Sequence, residues 1–146
     1  MLTPSKKIFY AIEAVLFIAY NAKAGPIAGN NVAAAQNLPT RYLEPIMQKL
    51  VRAGILRGVR GPAGGYVLGR ERRRITLADI CDTIGNTSSL PQAATGLGKK
   101  ILRPVSSELI DQWHTQLANV SIATLCERAE KENIASATDT STDFTI

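Results

Sequence analysis

The side chains with which this sequence could act on another molecule are gathered between residues 39 and 68. Arg41, Tyr42 and Glu44 fall close together, and Arg57 and Arg60 precede the run Gly61-Pro62-Ala63-Gly64-Gly65-Tyr66. A guanidinium group donates parallel hydrogen bonds to a phosphate or to the O6/N7 edge of guanine, and a carboxylate accepts from the cytosine amino group. Each good base contact is worth about 1–3 kcal/mol of discrimination. Glycine backbone lets a large partner come close, and the neighbouring arginines put positive charge beside that approach. The chemistry implied is recognition of a nucleic-acid duplex. Catalysis has no evident carrier, because the chain holds one histidine, His114, and its carboxylates are not clustered. The glycine-rich turn lacks the Lys-Ser or Lys-Thr that would make it a nucleotide phosphate loop. No catalytic residue, metal-ligand set or cofactor is assigned.

These groups need a helix and a hairpin to hold them. Tyr42, Leu43, Ile46, Met47, Leu50 and Val51 recur at helical spacing, which lines one side with apolar groups and leaves Arg41, Glu44, Gln48 and Arg52 on the other. Pro39 suits the first helical position and Gly54 a left-handed C-cap. Pro45 has no amide hydrogen to give the Arg41 carbonyl, so a kink is expected in the first turns. Residues 55–59 and 66–68 read as two strands joined by a Gly/Pro turn. Before them, residues 32–35 form the apolar part of a short helix ending near Asn37, with Asn30 or water in place of a cap. Helix, turn, helix and basic hairpin make a winged helix-turn-helix, whose second helix enters the major groove while the wing lies along phosphates or in the minor groove.

The flanking segments complete a mainly α chain. Thr3 and Pro4 read as cap and start of a first helix over residues 4–22, with Ile8, Ile12, Val15 and Ala19 on its inner face. Lys6-Lys7 and the apolar run behind them mimic a secretory signal, but Glu13 interrupts the run, so the segment is kept in the mature protein. Residues 70–74 hold four arginines, a solvated basic loop or a phosphate contact. Thr76 and Asp79 form a capping pair for a helix through Ile80 and Ile84 to Gly85. Cys81 lies on that helix as a small packing residue, with thiol redox sensing as the alternative. Pro104 opens a long helix along which Val105, Leu109, Trp113, Leu117 and Val120 form an apolar stripe that needs a cover. Ser121 caps a last helix through Ile122, Leu125 and Ala129. The expected organisation is a DNA-binding domain over residues 1–85, a flexible loop over 86–103, a dimerisation helix region over 104–131 and a disordered tail over 132–146.

Charge supports the division. The chain of 146 residues carries a net +5. Residues 1–74 hold 12 Lys and Arg against 3 acids, and residues 75–146 hold 5 against 9, so the positive charge travels with the reading head. Aromatic residues make up 5% of the chain and are not interleaved with the basic ones, which disfavours base stacking on single strands and a general RNA or protein adaptor. Two cysteines, Cys81 and Cys126, build no disulfide scaffold and suit a reducing cytoplasm. No run reaches the ~18 apolar residues of a membrane span.

The run Tyr42-Leu43-Glu44, then residues 50–54, Val59-Arg60-Gly61-Pro62 and Gly64-Gly65-Tyr66 resembles the Rrf2 type of bacterial transcriptional regulator, the family that includes the iron-sulfur regulator IscR. The resemblance covers most of residues 1–131 and is strongest over 38–85. It implies a homodimeric repressor on a palindromic operator, with phosphate contacts from the start of the first helix, where Lys6 and Tyr10 match and Phe9 stands in place of an arginine common in relatives. For those two residues a solvated lysine and a half-buried tyrosine remain the alternative. Cluster-binding members carry three close cysteines, often with a histidine, where residues 85–103 of this chain have neither. Iron-sulfur clusters need thiolate or imidazole ligands, so no cluster of that type is expected, and a small molecule, a thiol or a partner protein is left as the signal.

Overall fold

In the computed structural model, residues 5–85 and 90–136 are described. Among them the chain runs α1 (Lys6–Tyr20), α2 (Gly29–Ala35), α3 (Thr40–Arg52), β1 (Leu56–Val59), β2 (Gly65–Leu68), α4 (Leu77–Ile84), α5 (Arg103–Ala118) and α6 (Ile122–Lys131). The fold is mainly α with one small hairpin, and α1 is its axis, touching α2, α3, α4, α6 and β2. Its core line is Ala11, Ala14, Val15, Ile18 and Ala19, all buried. The inner face is therefore turned slightly from the expected Ile8, Ile12, Val15 and Ala19, with Ile8 and Ile12 half-buried at its edge. The alanines let neighbouring elements approach closely, so the smallest apolar side chains lie deepest. Ser5 caps α1 by accepting from the Ile8 amide at 3.3 Å; the expected cap Thr3 and first position Pro4 lie outside the described residues.

Two helices of the reading head end in one device. Asn37 follows α2 at φ 54° and Gly54 follows α3 at φ 77°. In each case the following amide reaches back a full turn, Leu38 to the Ala33 carbonyl and Ile55 to the Leu50 carbonyl. This is the Schellman arrangement, which requires a left-handed residue and so selects Gly or Asn. Gly54 plays the expected part. Pro39 stands one place outside the helix as the N-cap residue, and Asn30 makes no cap to α2, which starts uncapped after Ala28. α3 continues through Pro45 with Leu43, Ile46, Met47 and Leu50 buried. Tyr42 is 39% exposed and belongs to the surface, not to the core face.

β1 and β2 pair antiparallel, with Leu56 opposite Leu68 and Val59 opposite Gly65. A further bridge joins Ile27 to Tyr66, whose amides and carbonyls exchange bonds of 3.0 and 2.8 Å, so the wing is anchored to the segment that leads into α2. The capping pair before α4 is a full box: Asp79 amide to the Thr76 hydroxyl at 3.1 Å, and Thr76 amide to the Asp79 carboxylate at 2.9 Å. The C-terminal part departs from the expected loop. Helical backbone starts at residue 96, with a wide π turn over Gly98–Leu102 before α5. Pro104 lacks an amide hydrogen and its ring crowds the carbonyl four residues back, a conflict that a locally widened turn relieves. α5 has no buried residue. Val120 lies beyond its end, half-buried, with its carbonyl accepting from the Leu77 amide at 2.9 Å, so it belongs to the α4 junction and not to the stripe. Among the described residues no helix is long and apolar enough to cross a membrane.

Candidate nucleic-acid interface

α3 sits between α1 and the wing, and its exposed residues face both. On the wing side, Thr40 and Glu44 share a cavity of about 250 Å³ with Gly29, Asn30 and Tyr66. Tyr66, next to the turn end of β2, thus stands beside the first half of α3. On the other side, Arg41, Tyr42, Pro45 and Lys49 share a cavity of about 200 Å³ with Lys7 of α1 and Ile84 of α4. The two helices are held there by aromatic rings. Tyr10 meets Tyr42 edge to face at 6.0 Å, and Phe9 meets Tyr10 in the same way at 6.3 Å. Gln36 of the turn after α2 donates to the Tyr10 carbonyl at 3.2 Å, adding a tie across the same junction.

The structure brings Tyr10, Arg41, Tyr42, Glu44 and Tyr66 onto this continuous region. Lys6 and Arg41 are exposed, as are Arg57, Arg60, Gly61 and Pro62 along the hairpin. None of these cations is ion-paired among the described residues, where the ion pairs are Arg70 with Asp79, Arg73 with Glu71 and His114 with Asp82. The arginine run after the wing behaves differently. Arg70 is turned toward its own Asp79 at 3.0 Å and the Arg74 carbonyl, while Arg73 holds Glu71 at 2.7 Å.

The glycines divide by role. Gly61 has φ 111° and open space where a side chain would be, as a tip that approaches a partner requires. A Cβ on Gly64 would meet the Val59 carbonyl oxygen at 2.2 Å, and one on Gly65 the Ile27 carbonyl at 2.4 Å. Those two serve the hairpin's own packing. Sequence reasoning missed Lys49, which lies two turns beyond Arg41 on the same stripe and was detectable from that spacing. It also gave Asn30 only a capping part, and it did not place Lys7 beside Arg41.

Cys81 is half-buried on α4 and Cys126 is buried on α6. Burial, with the Asp82 carboxylate as a second cause, pushes the Cys81 thiol up. Burial also pushes Cys126 up, against a hydrogen bond from Arg72. Thiolate is the nucleophilic and metal-binding form, so both shifts work against redox sensing. His114 is a helix-surface residue paired to Asp82 at 2.9 Å. With two cysteines in the chain, both raised, and none in residues 85–103, the residues present do not fit an iron-sulfur cluster of the cysteine-rich kind.

Comparison with known proteins agrees with this geometry. Residues 4–128 match the family model Rrf2, described as an iron-dependent transcriptional regulator. The HTH-type transcriptional regulator IscR of Xenorhabdus nematophila is 25% identical over 135 residues, covering 89% of this chain and 82% of that one. CymR, the global cysteine regulator of B. subtilis, superposes with a TM-score of 0.71 at 28% identity, covering 88% of this chain and 98% of that one. IscR of T. potens gives a TM-score of 0.71 at 26% identity, covering 93% and 94%. A winged helix-turn-helix with an unpaired basic face, matched over nearly its whole length, makes this chain a sequence-specific DNA-binding regulator belonging to the Rrf2 family.

Proposed function

We propose that the chain is a cytoplasmic, homodimeric repressor that binds an imperfect palindrome in double-stranded DNA. In this reading Tyr42 and Glu44 meet base edges in the major groove with Arg41 on the phosphate beside them, and Arg57, Arg60, Gly61 and Pro62 follow the phosphates, with Lys6 and Tyr10 at the start of α1. Gly64, Gly65 and Tyr66 shape the wing from within. The observation that carries it is the cavity shared by Glu44 of α3 and Tyr66 of β2, since it sets the reading helix and the hairpin side by side. The dimer rests on α5, where Val105, Leu109, Ile110 and Trp113 are each 43% exposed or more. Leu117 is half-buried and adds to one edge of that face. A two-fold pair built on it would set two reading heads on successive major-groove faces ~34 Å apart. The function is binding and not turnover, and the signal is a small molecule or a partner protein.

The test is binding of duplex fragments from around the protein's own gene, with Arg41→Ala and Arg60→Ala beside the wild type. Sequence-selective binding that both variants weaken supports the proposal. Equal affinity for RNA and duplex DNA would instead favour a basic adaptor.

A further inference from the structure

We infer that Lys7, Arg41 and Lys49 form a three-cation clamp for one phosphodiester group of the bound duplex, on the flank of α3 away from the wing. The inference deepens the DNA-binding reading and rests on it. The three side chains come from two helices and line one shallow cavity of about 200 Å³, whose other walls are Tyr42, Pro45, Ile46 and Ile84. The arrangement is fixed by the fold. Arg41, Pro45 and Lys49 follow one another at four-residue spacing and so share a stripe of α3. Lys7 lies one turn before Tyr10, and the edge-to-face contact of Tyr10 with Tyr42 holds that turn of α1 beside Arg41.

Electrostatics makes the cavity a site for an anion. All three cations are exposed, none has an ion-pair partner among the described residues, and no acidic side chain lines the cavity. Like charges that converge without a counter-ion repel one another, and an anion seated among them removes that cost. The apolar part of the wall, Ile46, Ile84 and Pro45, lowers the local dielectric and strengthens the attraction for an anion. Arg41 offers a planar fork and the lysines two point charges, a set suited to the non-bridging oxygens of a phosphate. The clamp would fix the depth at which α3 enters the groove while reading no bases.

Because a backbone contact is indifferent to sequence, a random-sequence duplex is a sufficient probe. Lys7→Ala and Lys49→Ala, measured by fluorescence anisotropy across a salt series, should each weaken binding about three- to tenfold at low salt and flatten the slope of log affinity against log salt by about one. Lys23→Ala is the control, an exposed lysine on a different cavity that also holds Glu130; its slope should match the wild type. Wild-type binding with unaltered slopes in both variants overturns the clamp and leaves the regulator reading intact, whereas no wild-type binding to any duplex overturns both. Inorganic phosphate titrated at constant ionic strength separates the other source of the same chemistry. Saturable phosphate binding that Lys7→Ala abolishes, with duplex binding unchanged in that variant, assigns the cavity to a free anion and overturns the duplex assignment.

Discussion

Tyr10 of α1 meets Tyr42 of α3 edge to face, with ring centroids 6.0 Å apart and planes at 85°. Aromatic pairs of this geometry contribute about 0.5–1.5 kcal/mol beyond the area they bury. Because Tyr42 neighbours Arg41, the contact also sets the angle at which the reading helix leaves the core. A double-mutant cycle with Tyr10→Ala and Tyr42→Ala should give a coupling of about 1 kcal/mol in urea unfolding. Tyr10→Ala should also weaken duplex binding, although α3 keeps all its polar side chains.

The wing glycines should respond unequally to alanine. At Gly65 a methyl group would meet the Ile27 backbone at 2.4 Å, so the hairpin must detach from the segment before α2. Gly65→Ala is expected to destabilise by about 2 kcal/mol or more. At Gly61 there is room, and only the positive φ of 111° is costly, so Gly61→Ala should lose about 1 kcal/mol. Thermal unfolding of the two variants compares them directly; equal losses would refute the division.

Acid should loosen the start of α4. Burial works to raise the Asp79 carboxyl, but hydrogen bonds from Thr76 and Arg70 outweigh it and leave the group below its ordinary value of 3.8. A depressed carboxylate stabilises the fold above its unfolded value and loses that contribution as pH falls through the folded one. Wild-type stability should therefore drop below about pH 4. Asp79→Ala removes the cap and the partly exposed ion pair together, at a cost of about 1–2 kcal/mol near neutral pH, and should flatten the acid limb of the urea midpoint.

His114 has the opposite sign. Its hydrogen bond and charge contact with Asp82 raise it above 6.5, so the pair helps at low pH and its help is lost as pH rises through the folded value. Both side chains are about half exposed, so the effect is a few tenths of a kcal/mol. His114→Gln should leave the unfolding midpoint with a smaller difference between pH 5.5 and pH 8.5 than the wild type shows.

Trp113→Glu or Leu109→Glu should convert a dimer to a monomer, read by light scattering after size exclusion, because a carboxylate cannot be buried unpaired in an apolar interface. Far-UV circular dichroism should be unchanged, since neither Leu109 nor Trp113 is buried within its own chain. A wild type that is monomeric at tens of micromolar would remove the palindrome from the proposal.

The parts of the fold legible in sequence were those where one residue type alone satisfies the backbone. Gly54 had to follow α3, Thr76 and Asp79 had to start α4, and the Gly/Pro run had to turn a hairpin. Spacing was less informative where it outlasts the helix that generates it. Val120 keeps step with Trp113 and Leu117, yet α5 stops at Ala118, and no periodicity reveals an ending. Residues 96–102 carry Leu97, Ile101 and Leu102 at helical spacing, but Gly96, Gly98 and the nearby Pro104 argue for a loop and masked that helix. At the site, the sequence could not show that Gly64 and Gly65 also pack against their own chain, because a partner's approach and a neighbouring segment's approach make the same demand on Cβ. Lys49 lies in the third turn of α3, past the first turns that a groove-reading helix presents, on the surface that still faces α1.

The bridge between Thr76 and Ser121 carries a consequence for how a signal travels. With Leu77 bonded to Val120 and Ile122 bonded to Ile75, the start of α4 and the start of α6 are stitched together at a single seam. Within the span so closed, α4 belongs to the core, packing on α1 and α3 with Ile80 and Ile84 buried, whereas α5 has no buried residue, so changes should be tolerated in α5 and not in α4. α4 packs against both the reading helix and α5, so a tug on the far end of α5 reaches the duplex through one short lever.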